Sequence, residues 1–310
     1  VSENTSLEGR TAVVTGAGAG LGRAEVLALA ARGANVVVND VGAAAHAVVA
    51  EVEALGRKAV AVPGDVGDWA LGEQLVQAAV DTFGSLDIVV NNAGITRDTM
   101  LFNLTEQQWD DVLRVHLKGH ASVSRAAAVH WRSASKAAGG PVYGRVVNTA
   151  SEAFLFGAPG QPNYSAAKAG IVALTLSTAQ GLSRYGVTAN AICPRARTGM
   201  TDGVFGEAAT GDGLDILAPE RVGTLVSYLA SPAAREINGQ VFVAYGDFVA
   251  LLAPPTVEQK FTAADGTFSV EELDDQLTGY FTGRSPYQTF AAYSVAQLDT
   301  TGVPNLAAAR

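Results

Sequence analysis

Tyr164-Ser165-Ala166-Ala167-Lys168 sets a phenol and an ammonium four residues apart, on one face if the stretch is helical. A lysine ammonium beside a phenol favours the phenolate. Tyr164, whose free pKa is near ~10, then becomes able to exchange a proton near neutral pH. Ser151 ends the apolar, strand-like run that closes with Asn148-Thr149-Ala150, where its hydroxyl is placed to hydrogen-bond a substrate carbonyl or hydroxyl. Alone, a Tyr–Lys pair at this spacing more often marks a solvated helix face, and a second motif changes that weighting.

The second motif is Thr15-Gly16-Ala17-Gly18-Ala19-Gly20-Leu21-Gly22, between the strand-like Thr11–Val14 and a helical pattern over Leu21–Arg32. Strand, glycine turn and helix together aim backbone N–H groups and a helix N-terminus at a pyrophosphate. The strict GxGxxG fingerprint fails, and the pattern that fits is TGxxxGxG through Thr15, Gly16, Gly20 and Gly22. At the end of the next strand-like run, Val36-Val37-Val38-Asn39-Asp40 brings a carboxylate to the place of an adenosine ribose. A carboxylate there accepts hydrogen bonds from the 2′- and 3′-hydroxyls and repels a 2′-phosphate, which favours NAD.

The elements that must position these groups alternate along the chain. Strand-like runs lie at Thr11–Thr15, Asn35–Asn39, Ala59–Val62, Leu86–Val90, Arg145–Thr149, Thr188–Cys193 and Gln240–Ala244. Helical patterns lie between them at Ala43–Leu55, Trp69–Phe83, Glu106–Trp131, Tyr164–Tyr185 and Pro219–Ala230. The early strands are continuous apolar runs, as in a parallel sheet covered on both faces. The expected fold is α/β, a doubly wound Rossmann fold with a mostly parallel seven-stranded sheet and helices on both faces. A composition shift at Pro254-Pro255 divides an expected domain over residues 1–253 from a C-terminal extension over 254–310, packing on the domain or at a subunit interface. Within the extension Ser269-Val270-Glu271-Glu272 reads as a capping box. Asp265-Gly266 nearby has too few ligands for a calcium loop, so no metal is expected.

With both motifs in view, the chain resembles the short-chain dehydrogenase/reductase family from about Leu7 to about Gly246. The resemblance implies cofactor glycines at Gly16, Gly20 and Gly22, flanked by Thr15 and Leu21. It implies a second cofactor segment in Asn91-Asn92-Ala93-Gly94 and a catalytic set of Ser151, Tyr164 and Lys168. Asp65 and Val66 resemble the adenine contact, and Thr198 stands where members touch the nicotinamide carboxamide. The family's Pro-Gly segment is Pro194-Arg195 here, so the glycine is replaced. Ala19 stands where members preferring NADP often carry a basic residue, a second sign for NAD. Many members carry an Asn in the long helix, in a proton relay through water to the lysine. His116 takes that place, and a relay role for it is weighed against a structural one.

Thr15–Ala24, Val36–Asp40, Asn91–Asp98 and Arg114–Gly119 together resemble the dehydrogenase domain of the peroxisomal multifunctional enzyme type 2, also called 17β-hydroxysteroid dehydrogenase type 4. That resemblance implies NAD-dependent oxidation of (3R)-3-hydroxyacyl-CoA to 3-oxoacyl-CoA, in fatty-acid or steroid side-chain degradation. No hydratase domain follows in this chain, so a free-standing dehydrogenase served by a separate enoyl-CoA hydratase is expected. Family members pair through their long helices, which implies a homodimer or homotetramer. The rivals are a 3-oxoacyl-carrier-protein reductase, suggested by Ile95-Thr96-Arg97-Asp98, and a 17β-hydroxysteroid or other secondary-alcohol dehydrogenase. A non-catalytic NAD-sensing scaffold would be expected to lack Tyr164 or Lys168. For the CoA phosphates the candidates are Arg97, Arg195 and Arg197, on loops near the expected mouth. Gly199–Leu217, rich in small residues, reads as a lid with room for a bulky acyl group.

Composition narrows the partners. Among 310 residues, 48% are hydrophobic, ample for a large core, and the net charge is −9, which argues against nucleic acid. The single Cys193 ends an apolar strand and reads as a core residue in a reducing compartment. No apolar run reaches membrane-spanning length, and Val1-Ser2-Glu3-Asn4 lacks a basic leader region. The expected location is cytoplasmic, with no membrane partner.

Overall fold

Val13 and Val14 turn to opposite sides of the sheet, and each finds a separate apolar layer. That is the behaviour of a strand buried on both faces, and it explains why the early strands read as unbroken apolar runs. The computed structural model describes residues 2–201, 215–285, 289–292, 295 and 298. Six parallel strands come first: β1 (Thr11–Val14), β2 (Asn35–Val38), β3 (Ala59–Ala61), β4 (Ile88–Asn91), β5 (Gly144–Thr149) and β6 (Val187–Pro194). β7 (Val241–Tyr245) continues the parallel run and β8 (Phe248–Leu251) closes it antiparallel. The order is β3-β2-β1-β4-β5-β6-β7-β8, so the winding reverses between β1 and β4. In such sheets the crevice above the carboxyl ends of those two strands is the ligand site.

On one face, α1 (Gly20–Ala31), α2 (Ala44–Ala54) and α8 (Pro219–Leu229) cover Val14, Val36, Val38 and Val90, using Val26, Leu29, Val48, Val52, Val222 and Val226. The other face is covered by α3 (Leu71–Phe83), α5 (Gly119–Ala138) and α7 (Pro162–Leu182), through Leu75, Ala79, Val123, Trp131 and Ala179. Between α3 and α5 runs α4 (Glu106–Leu113), opened by a capping box in which Thr105 and Gln108 exchange hydrogen bonds. A short α6 (Ala153–Phe156) precedes α7. The doubly wound fold with helices on both faces is therefore the one the sequence implies.

Two differences have physical causes. The sheet has eight strands rather than seven, because Gly246-Asp247 make a tight hairpin after β7. Gly246 supplies the turn with φ +59, and Phe248–Leu251 returns as an edge with Val249 and Leu251 exposed. The helix expected over Glu106–Trp131 is interrupted by a π-turn at Arg114–Lys118 and continues to Ala138, where Gly139 ends it at φ +68. Beyond β8, Ser269 and Glu272 form the expected capping box at the start of α9 (Val270–Leu273). Ala292 donates its N–H to Leu155, while Val295 and Leu298 pack against the apolar cluster of Ala150, Ile171 and Cys193. No described helix is long and apolar enough to cross a membrane.

Candidate active site

A cleft of about 520 Å³ opens where the winding reverses. Its floor at one end is the glycine turn after β1. Gly16, Gly20 and Leu21 line it, whereas Thr15 and Gly22 act from behind. The Thr15 hydroxyl accepts the N–H groups of Asn92 (3.1 Å) and Ala93 (3.2 Å), and the Asn92 amide donates to the carbonyls of Thr15 and Gly16. A Cβ on Gly22 would lie 2.3 Å from the Gly16 carbonyl oxygen, so only hydrogen fits there. α1 begins without a side-chain cap, since Ala19 occupies the N-cap position. Its first N–H groups and its positive end thus open on the cleft, as a pyrophosphate requires.

Further along, Asp40 lines the cleft at the end of β2. Its Oδ2 accepts the Gly18 N–H at 2.9 Å and its Oδ1 the Val41 N–H at 2.8 Å, which fixes the carboxylate and leaves one lone pair on each oxygen for ribose hydroxyls. Asp65 and Val66 lie beside it. Asp65 is tied to its own loop through Gly67 N–H (2.8 Å) and to Arg114 (2.7 Å), and these bonds hold its carboxyl below the ordinary range against the opposing effect of burial. Ala93, Gly94, Pro194 and Thr198 line the middle of the cleft. The glycine turn, uncapped helix start and fixed carboxylate fit a nicotinamide dinucleotide.

The chemical end gathers Ser151, Tyr164, Lys168 and His116. α7 starts with Pro162 at its first turn, and Asn163 pins that turn by donating to the carbonyls of Arg97 (3.1 Å) and Gln108 (3.0 Å). Asn163, Ala167, Ile171, Thr175 and Ala179 form its buried stripe, which turns Tyr164 and Lys168 together toward β5. Lys168 is buried and donates to the Thr149 carbonyl at 2.6 Å, with Nζ 5.3 Å from the Tyr164 ring centroid. Ser151 Oγ accepts the Ala153 N–H at 3.2 Å and is hydrogen-bonded to Tyr164. Below them Asn91 bridges Ser124 and Asn148, and Asn148 reaches Thr175, a buried polar ladder across β4, β5, α5 and α7.

The electrostatics correct one expectation. The proximity of Lys168 does not by itself leave Tyr164 with a low pKa. Burial pushes the phenol up to about 12, and the bond from Ser151 offsets only part of that. Burial pushes Lys168 down to about 7, so its ammonium is only partly charged at neutral pH. His116 is 1% exposed and its ring stands edge-on to Tyr164 at 5.3 Å between centroids. Its Nε2 lies 2.7 Å from the Ile95 carbonyl oxygen and 3.0 Å from the Ile95 N–H, donating to one or accepting from the other according to tautomer. Burial holds His116 well below its ordinary pKa, so it stays neutral across physiological pH. The ring also presses on Gly94, where a Cβ would lie 2.3 Å from Cε1. Cys193 is buried in the core and burial raises its thiol pKa.

The candidate phosphate arginines separate. Arg195 is buried against Glu152, its Nε and Nη2 on that carboxylate, and does not line the cleft, so it is not a phosphate ligand at the mouth. Arg197 pairs with Asp215 at 2.8 Å, away from the cleft lining. Arg97 does line the mouth, half exposed and 3.6 Å from Asp111, and Arg114 lies there too. Residues 202–214 of the expected lid lie outside the described residues. Two residues that sequence reading missed are Arg114, which pairs with Asp65 in the cleft lining, and Glu152, which pairs with Arg195 directly after Ser151.

A family model described as short chain dehydrogenase matches residues 10–207. Hydroxyacyl-CoA dehydrogenase ChsB1 of Mycobacterium tuberculosis is 55% identical over 300 residues, 94% of either chain. Peroxisomal multifunctional enzyme type 2 of Mus musculus is 42% identical over 76% of this chain, which spans 31% of that enzyme's length. A crystal structure of a short chain dehydrogenase from Mycobacterium avium superposes with a TM-score of 0.82 at 43% identity, covering 90% of this chain and 97% of that one. A dinucleotide cleft with Ser, Tyr and Lys gathered at one end, on a sheet shared with these proteins, has one consistent reading: the chain belongs to the short-chain dehydrogenase/reductase family and is an oxidoreductase.

Proposed function

We propose that the protein oxidises (3R)-3-hydroxyacyl-CoA to 3-oxoacyl-CoA with NAD, in fatty-acid or steroid side-chain degradation. The observation that carries this reading is the full-length likeness to a hydroxyacyl-CoA dehydrogenase, which includes the segment beyond the family's common domain. The (3R) assignment rests on the likeness to the peroxisomal enzymes. Asp40 supports NAD, because its anchored carboxylate meets a ribose diol well and a 2′-phosphate badly. Residues 1–253 act as the catalytic domain with 254–310 as an extension, in a homodimer or homotetramer fed by a separate hydratase.

Bound NAD would supply a hydride acceptor and the positive charge of an oxidised nicotinamide. Gly16, Gly20 and the start of α1 would hold its phosphates, and Asn92, Ala93, Gly94, Pro194 and Thr198 would shape the nicotinamide end. Lys168 would hydrogen-bond its ribose. Ser151 orients the substrate hydroxyl and stabilises the developing carbonyl oxygen. Tyr164 takes the hydroxyl proton. A nearby cation is what a phenol with a pKa of about 12 needs to act as a base, and without one Tyr164 is an acid. His116 holds Tyr164 edge-on and anchors the Ile95 loop, and its neutral ring passes a proton only by exchanging tautomers.

A second reading, reduction of a 3-oxoacyl thioester, draws on the protonated Tyr164 and on 40% identity to the 3-oxoacyl-[acyl-carrier-protein] reductase of Synechocystis. Asp40 opposes the NADPH such a reaction usually uses. The discriminating test compares a (3R)-hydroxyacyl-CoA with its pantetheine thioester. Arg97 at the mouth is the candidate for the nucleotide phosphates, and losing charge-assisted contacts worth ~1.5–3 kcal/mol raises KM at least about tenfold. Equal kcat/KM for the two thioesters removes CoA recognition from the account.

A further inference from the structure

Arg195 and Glu152 form a buried ion pair, their side chains 3% and 10% exposed. Two near-parallel bonds join them, Nε to Oε2 at 2.6 Å and Nη2 to Oε1 at 2.7 Å. Each partner sits directly beyond a residue of the site, Glu152 after Ser151 and Arg195 after Pro194. Their strands are neighbours, and the Ala150 N–H closes the ladder on the Ile192 carbonyl at 2.7 Å. The pair therefore clamps the two segments just where they leave the sheet. Arg195 Nη2 also donates to the Val295 carbonyl at 3.0 Å, and its guanidinium lies 4.8 Å from the Tyr245 ring centroid. The clamp thus reaches β7 and the C-terminal segment as well.

Burying two charges costs much of what their attraction returns, and an apolar pair of like size would join the same segments at least as firmly. What the fork of two bonds adds is direction. Glu152 stands at the start of α6, whose next residue, Ala153, donates to Ser151 Oγ. Anchoring Glu152 restrains the short turn from Ser151 to Ala153, on whose N–H the Ser151 hydroxyl rests.

We propose that Glu152 and Arg195 are positioning residues that aim Ser151 Oγ at the substrate oxygen. Neither touches substrate, and both act through Ser151. The inference rests on Ser151 having the role given above, so its test is read against Ser151→Ala. In the double variant Glu152→Leu/Arg195→Met the charges leave together. The expected result is retained folding and NADH affinity within about twofold of wild type, while kcat falls at least about tenfold, since a misplacement of about 1 Å costs up to about 10²-fold. Arg195→Lys, which keeps the charge but loses the fork, should fold and lose kcat by several-fold, again without a change in NADH affinity. In a Ser151→Ala background the double substitution should lower kcat no further than about twofold. Wild-type kcat in both Arg195 variants overturns the proposal, and so does a full additional loss in the Ser151→Ala background. If Ser151→Ala itself keeps wild-type activity, the fault lies with the role of Ser151 instead.

Discussion

Replacing Glu25 by glutamine changes one titrating proton and almost no volume. Glu25 lies on α1 a turn from Leu21 and Leu29, fully buried, and neither carboxyl oxygen has a hydrogen-bond partner. Burial alone raises its pKa from 4.5 to about 8. Below pH 4.5 the carboxyl is protonated in the folded and unfolded chains alike, and its full contribution to stability is present. Between 4.5 and about 8 the folded chain keeps a proton that the unfolded chain releases, so stability declines as pH rises. The decline is about 1.4 kcal/mol per pH unit and sums to ~5 kcal/mol across the window. A glutamine amide in this place would be a similar buried, unsatisfied polar group that does not titrate, so the comparison isolates the ionisation. Urea unfolding of wild type and Glu25→Gln at about pH 5, 6.5 and 8 measures it. The variant's stability relative to wild type should climb by several kcal/mol from the lowest pH to the highest. Parallel pH profiles would show the opposite, that Glu25 ionises in the folded chain as it does in water.

Asp40→Ala removes a fixed carboxylate from the ribose end of the cleft, and losing bonds worth ~1.5–3 kcal/mol should lower the preference for NAD over NADP at least about tenfold. Equal use of NAD and NADP by the wild type, measured as kcat/KM for each, would sink the assignment. His116→Ala takes a ring from beside Tyr164 and its bond from the Ile95 loop, so thermal stability and kcat should both fall. Because burial keeps His116 neutral, the shape of the pH–rate profile between about pH 5 and 8 should not change, and a limb lost with the imidazole would show that it does titrate.

Much of the fold was legible because its signals are local. Apolar runs such as Val36–Val38 are buried on both faces whatever surrounds them, and the glycine turn announces itself by spacing. β8 was not legible. Phe248–Leu251 is itself an apolar run, but only two residues separate it from β7, and nothing in the run tells that it turns back as a half-exposed antiparallel edge. The π-turn at Arg114–Lys118 shifts the face of a helix whose pattern gives no sign of the break. In the site, the residues were visible and their charge states were not. Four residues of helix bring Lys168 near Tyr164, but the direction of both pKa values comes from burial by β5 and its neighbours. Arg195 failed as a phosphate ligand for the same reason: its partner Glu152 is 43 positions away in sequence and adjacent only in the fold.

In the proposed function Tyr164 moves the proton while hydride passes from a (3R)-hydroxyacyl-CoA to NAD. The most direct measurement is NADH formation from matched (3R)- and (3S)-hydroxyacyl-CoA esters by wild type and Tyr164→Phe, with NADH affinity determined alongside. The expected result is turnover of the (3R) ester by wild type, little of the (3S) ester, and a fall of roughly 10²–10⁴-fold in Tyr164→Phe at nearly unchanged NADH affinity. A variant that keeps more than about a tenth of wild-type turnover, or a wild type that reduces no NAD with the (3R) ester, would contradict it.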